Sequence, residues 1–275
     1  MRACLQLVIA LALAAAPCLA NQVENANTAV YQFIPPASGP IWSMPRDVLY
    51  DNGPLVNSPG TGYAGADESV LQTTSLSMNT LGFGHQVATG YVVADDFTIP
   101  PGDPWNITTI TFFAYQTGAA TTPSTMTAVR FEIWNDRPDA PGATRLFGDL
   151  TTNRLSGSAW SGIYRVTESS TGEATNRPIM ADVCSAPVVL GPGTYWLAWM
   201  TDGTLASGPW APPITINGQT TTGNGLQSLD SGTSYADAQD SGTLTQQGFP
   251  FVIEGTSGPT STEEKSWGAV KSQFR

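Results

Sequence analysis

The residues best equipped for chemistry fall in two alternating runs, residues 106–116 and 126–135. In the first, Thr109, Thr111, Phe113 and Tyr115 share one face of an extended chain, and Ile110, Phe112 and Ala114 share the other. In the second, Arg130, Glu132 and Trp134 alternate with Val129, Phe131 and Ile133. The wholly apolar rows should face a core. The mixed rows offer Phe113, Tyr115 and Trp134 as flat surfaces for sugar rings, with Arg130 and Glu132 to bond hydroxyls. Trp210, in the Gly/Pro-framed segment GPWAPP, would add a wall. Large aromatics are also ordinary core residues, so an open platform is an expectation that burial can overturn.

Other residues could carry different chemistry. Glycoside hydrolysis needs two carboxylates held several ångströms apart. Glu132 is the best single acid, but no partner for it is identifiable, and a cross-strand ion pair is its plainer role. His85 is the one histidine, and a Ser-His-Asp triad or a histidine zinc site would require it. It sits between glycines with no ligand motif beside it and reads as an ordinary loop residue. The doublet Asp95–Asp96 offers oxygens to Ca²⁺, the one cofactor the sequence suggests. Adjacent strand residues point to opposite sides, so at most one would ligate directly, and turn or backbone hydrogen bonding is the alternative. Asp230, Asp237 and Asp240 lack EF-hand spacing.

The elements needed to position these groups are short strands. Asp47–Tyr50, Ser69–Ser77 and the run through Val92, Val93, Phe97 and Ile99 are β-prone, the last ending at the breaker Pro100–Pro104. Residues 106–116 and 126–135 are placed as hairpin partners across the turn at 118–123. Pro187–Met200 turns at Gly191–Pro192–Gly193. After that turn both faces are apolar, Tyr195, Leu197 and Trp199 against Trp196, Ala198 and Met200, so this strand belongs in mid-sheet. Residues 220–242 read as loop, and 249–254 as a closing strand. Many short strands with Gly/Pro punctuation and no long helix predict an all-β fold: a two-sheet antiparallel β-sandwich, jelly-roll-like.

The address is written at the start. Arg2, the apolar run from Leu5 to Ala16 and small residues up to Ala20 predict a secretory signal peptide at 1–20. The expected organisation is that leader, an N-terminal arm at 21–46, a β-sandwich domain at 47–255, and a linker with a short tail at 256–275. No later stretch is long and apolar enough to span a membrane. The chain carries a formal net charge of −11, and loss of Arg2 with the leader makes it more negative. That balance excludes nucleic acid and disfavours anionic lipid. A neutral polysaccharide, a cell-surface component or a cation fits better. Cys4 and Cys18 leave with the leader, so Cys184 is alone, cannot form an internal disulfide, and reads as a buried small hydrophobe.

The phrases VLYDNGP (48–54), VADDF (93–97), FFAYQTG (112–118), GTYWLAW (193–199), SGPWAPPITI (207–216) and QGFPFVIEG (247–255) resemble a family of uncharacterised exported bacterial proteins. The likeness covers most of 47–255. It implies a β-sandwich, often with surface-sorting or anchoring tails, and supplies no catalytic residues. The resulting expectation is a secreted or cell-surface, non-catalytic binding module for carbohydrate. Two alternatives stand beside it: a structural or adhesive protein acting through protein contacts, and a glycoside hydrolase or lyase.

Overall fold

The computed structural model describes residues 22–26 and 48–258. The leader, most of the arm and nearly all of the tail lie outside the described residues. Fifteen strands follow in chain order: β1 (Val23–Asn25), β2 (Val48–Asp51), β3 (Asp67–Leu71), β4 (Thr80–Gly84), β5 (Val92–Ile99), β6 (Trp105–Ala114), β7 (Met126–Trp134) and β8 (Arg145–Asp149). After these come β9 (Leu155–Thr167), β10 (Pro178–Leu190), β11 (Gly193–Gly203), β12 (Trp210–Ala211), β13 (Leu226–Ser228), β14 (Ala236–Asp237) and β15 (Phe251–Ser257). Helix is confined to three short 3₁₀ turns among the described residues.

Two six-stranded sheets pack face to face. The first runs β2-β15-β6-β10-β9-β3 and the second β14-β13-β5-β11-β7-β8. A third sheet, β1-β4-β12, accompanies them. Pairing is antiparallel except between β3 and β9. The chain crosses between the large sheets from β5 to β6, β6 to β7, β8 to β9, β10 to β11 and β14 to β15. This is the jelly-roll-like, all-β sandwich that the strand pattern predicts.

Alternation explains the core. Ile110 and Phe112 of β6 meet Val129, Phe131 and Ile133 of β7 and Leu197 and Trp199 of β11 in one buried cluster. Phe112 stacks on Trp199 with ring centroids 4.8 Å apart, and Phe249 and Phe251 meet the same indole edge-on. The core rows assigned from sequence are therefore correct. β11 lies between β5 and β7, the interior position its two apolar faces call for.

Three sequence expectations need correction. β6 and β7 are not a hairpin: β6 pairs with β10 and β15, and β7 pairs with β11 and β8. The turn at 118–123 carries the chain from one sheet to the other. Residues 220–242 are not all loop, because they contribute β13 and β14 to the second sheet. The arm is not merely a lead-in, because residues 23–25 form β1 and pair with β4.

The third sheet bridges the two large ones. Phe83 of β4 enters the main core, and Trp210 of β12 exchanges backbone hydrogen bonds with Tyr115, just past β6. Beyond β4, Gln86 bridges to Thr201 of β11. The opening between the sheets is thus closed on this side by β1, β4 and β12.

Candidate functional site

The residues proposed as one platform are divided between two sheets. Phe113 and Tyr115 belong to the outer side of the first sheet, where Ile163, Ile179, Ala181 and Val252 flank them on neighbouring strands and Leu55, Val56 and Trp210 pack with them. Phe113 is 6% exposed and Tyr115 is fully buried. Trp210 is a half-buried strand residue rather than the tip of a loop. These three aromatics form a secondary core, so an open Phe113–Tyr115–Trp210 surface is ruled out by burial.

The outer face of the second sheet keeps the other three. Arg130, Glu132 and Trp134 project there because Val129, Phe131 and Ile133 are taken by the core. Strand register sets their neighbours. Trp134 lies opposite Trp196 of β11, and Trp196 lies opposite Asp96 of β5, a row of two indoles and a carboxylate. The next row is Glu132, Ala198, Ala94 and Leu226. Ala94, Ala198 and Leu226 are fully buried. Tyr235, Leu150 and Val87 pack against this apolar floor together with Trp134.

Glu132 holds the site together. Its Oε1 accepts from Nη1 of Arg145 at 2.7 Å, and its Oε2 accepts from Nε1 of Trp134 at 3.1 Å. The glutamate side chain is 7% exposed and the Arg145 side chain 48%. One end of the ion pair is therefore buried under the ring it orients, and the other reaches solvent. Arg145, not the neighbouring Arg130, is the partner that sequence proximity failed to give. Nε of Arg130 is buried without a hydrogen bond. The Tyr235 phenol is pushed well up by burial and then by the carboxylates of Glu132, Asp139 and Asp230. It stays neutral and offers a hydroxyl beside the indoles. Trp196, Arg145 and Tyr235 escaped the sequence reading; placing β11 beside β7 would have brought Trp196 opposite Trp134.

The acid doublet is split by the pleat. Asp95 faces the core, and its carboxylate accepts from the backbone N–H of Phe249 at 2.6 Å, from that of Asp96 at 2.9 Å and from Nδ2 of Asn52 at 3.0 Å. Burial lifts its pKa to about 7 against those hydrogen bonds. Asp96 points to the opposite face. The two carboxylates do not converge on one cation, and no group of three or more His, Cys, Asp or Glu suited to a metal occurs among the described residues.

His85 is not an ordinary loop side chain. It is fully buried, and neither ring nitrogen has a hydrogen-bond partner of good geometry. Burial lowers its pKa to about 3, although the carbonyls of Phe83 and Pro209 oppose that shift. Ser158 donates to the buried Asp182 at 2.5 Å and shares a hydrogen bond with Ser124 at 2.6 Å, and no histidine takes part in that chain. Cys184 is buried, and burial raises its thiol pKa well up, as suits an inert packing residue. Comparison of the chain with protein-family models, curated proteins and solved structures gives no match.

Proposed function

We propose that this protein is an exported, non-catalytic binding module that takes carbohydrate on the outer face of its second sheet. The observation that carries the reading is the half-buried Trp134 ring, fixed by the Arg145–Glu132–Trp134 clamp, with the buried Trp196 (7% exposed) backing it and Asp96 next in the row. Flat rings give a sugar large apolar contact at low entropy cost, because an indole has only two side-chain torsions. The clamp fixes the Trp134 ring before any ligand arrives, which lowers the cost of binding. Arg145, Asp96 and the Tyr235 hydroxyl supply donors and acceptors around the rings. Both oxygens of Glu132 are engaged, so that carboxylate suits ring orientation better than proton transfer. The leader expected at residues 1–20 supports an extracellular setting.

The test is a glycan array followed by titration calorimetry on any hit. Trp134→Ala should lower affinity at least tenfold, and Arg145→Ala should lower it by a smaller factor. Thr98→Ala, an exposed change elsewhere on the same strand as Asp96, should leave it unchanged. The absence of any glycan ligand would overturn the reading. So would undiminished affinity in folded Trp134→Ala and Arg145→Ala proteins, and the adhesive alternative would then be pursued with protein partners.

A further inference from the structure

Residues 22–26 are held as a bound peptide would be. β1 pairs with β4 in the register Val23–Phe83, Glu24–Gly82 and Asn25–Thr80. The carbonyl of Gln22 accepts from Gly84 N–H at 2.7 Å, and Ala26 N–H donates to the Asn79 carbonyl at 2.7 Å. The buried amide of Gln227 grips residue 22 twice. Its Oε1 accepts from the Gln22 N–H at 3.0 Å, and its Nε2 donates to the Gln22 carbonyl at 2.8 Å.

Side chains are read as well. Val23 packs on the main core and Ala26 on Leu71, Met78 and Leu81. Asn25 accepts from the Ser241 hydroxyl at 2.6 Å. Glu24 enters a closed pocket, where Tyr115 donates at 2.6 Å, Thr117 at 2.7 Å and Nε of Arg177 at 3.2 Å. Gly82 is what lets the phenol reach across: a Cβ there would lie 2.5 Å from the Tyr115 hydroxyl.

The groove has a charge preference of its own. The chain is strongly acidic, yet this groove is lined by Arg177 and, close by, Arg165, both buried. Arg165 is neutralised by no carboxylate contact; its hydrogen bonds go to Leu81, Ser69, Thr80 and Thr215 oxygens. Arg177 has Glu24 as its ion-pair partner, and its Nη2 is buried without a hydrogen bond. An empty groove would leave two buried guanidiniums without that anion. A strand carrying a carboxylate is therefore the occupant whose charge fits it.

We propose that the β4 edge, with Gln227, Tyr115, Thr117 and Arg177, is a docking groove for an extended glutamate-bearing strand, and that residues 22–26 of a second copy of this chain can occupy it in place of the chain's own. Residues 27–47 separate β1 from β2. That length of chain reaches at most roughly 70 Å when extended. A folded domain of this size is about 45 Å across, so the reach extends past one molecule. Own and foreign strands make the same contacts, so concentration decides between them: the tethered strand wins in dilute solution and the neighbour's gains as copies crowd together. Exchange of β1 would link copies through strand addition.

The test uses two full-length proteins, one carrying Asn25→Cys and the other Ser241→Cys, a pair whose native side chains touch at the surface. The double variant within one chain calibrates the geometry and should close its own disulfide. Mixing the single variants should give a cross-chain disulfide, identified by mass spectrometry as the 25–241 peptide pair. Its yield should rise with protein concentration and fall at least tenfold when the Asn25→Cys chain also carries Glu24→Ala. Closure of the double variant without any cross-chain product would overturn the proposal, as would a yield indifferent to Glu24→Ala. Failure of the double variant to close would overturn it too, by showing that β1 does not occupy the groove.

Discussion

The two large sheets use the same ingredients on their outer sides and reach opposite ends. Each has aromatics, an arginine and a glutamate on its outer side, the first receiving its glutamate from β1. On the first sheet Tyr115 meets Glu24 and Arg177, and both charged side chains are nearly sealed, 8% and 4% exposed. On the second sheet Trp134 meets Glu132 and Arg145, and the arginine end stands half in water. What differs is the cover. β1, β12 and residues 55–56 lie over the first set, whereas Tyr235, Leu150 and Val87 cover the second only in part. A glutamate–arginine pair under a lid fixes the fold. The same pair at a rim can meet a ligand.

The sealed pair should be the harder one to lose. Arg177→Ala leaves Glu24 as a buried charge among hydroxyls, and Glu24→Ala leaves Arg177 stranded. Breaking a buried pair by removing one partner typically costs about 3–5 kcal/mol. Urea unfolding should show that loss for either variant, with Glu24→Gln recovering part of it through retained hydrogen bonds. A loss under about 1 kcal/mol for both would mean that water reaches the pocket and the contrast between the faces is false. Gly82→Ala probes the same lid through packing alone. Its Cβ would meet the Tyr115 hydroxyl at 2.5 Å and Trp210 Cβ at 2.9 Å. Overpacking of this kind costs about 1–3 kcal/mol. Tyr115→Phe removes one of the crowded atoms, so combining the two changes should cost less than their sum.

Between the sheets lies a third environment, in which carboxylates are buried without any cation. Asp182 has Ser158 as its one donor, and its Oδ2 has none. Burial raises its pKa to about 7, and Asp95 is raised to about the same value. A carboxyl with a raised pKa keeps its proton in the fold across a window in which the unfolded chain has released it. The folded state then binds more protons, and stability falls as pH rises from near 4 to near 7, by up to about 1.4 kcal/mol per unit for each group. His85 runs the other way: its folded pKa of about 3 makes stability rise with pH until its ordinary value near 6.5 is passed. Asp182→Asn should flatten the fall and add stability at pH 8, measured as the difference from the parent in denaturant midpoints at several pH values. A difference that does not change with pH would show that Asp182 titrates normally and is hydrated.

Much of this architecture was legible from local pattern, and the cover was not. The alternation through 126–134 and the two-faced run at 193–200 each identify a strand and its core row, because side-chain direction has period two. That period says nothing about which strand lies alongside, so adjacency in sequence suggested a β6–β7 hairpin where the chain in fact changes sheets. The fate of Phe113 and Tyr115 was decided by Leu55, Ile163, Val252 and Trp210, which are distant in the chain. Glu24 was the least visible. An acid in a polar arm looks solvated, and its partners lie at positions 115, 117 and 177. The three second-sheet residues of the proposed site, Arg130, Glu132 and Trp134, could be given a shared face from sequence, but Arg145 needed the β7–β8 register.

Arg145→Ala should have the smallest effect on stability and therefore gives the most direct comparison with Arg177→Ala. Both remove the cation from a glutamate that also accepts a hydrogen bond from an aromatic side chain. At the rim, water can enter the space left by a side chain that is 48% exposed and solvate Glu132 in place of the guanidinium. A pair whose cation stands in water contributes little more than the about 0–1 kcal/mol of a surface pair, and salt screens it. The unfolding midpoint should therefore move little, and the small difference from the parent should shrink further at high salt. Tryptophan fluorescence should change more than stability does, since Trp134 loses one of the two groups that fix its Glu132 partner. If Arg145→Ala instead costs as much as Arg177→Ala, water does not reach Glu132 through the space the guanidinium leaves. Both outer faces would then be structural, and the second would have no rim at which to hold a sugar.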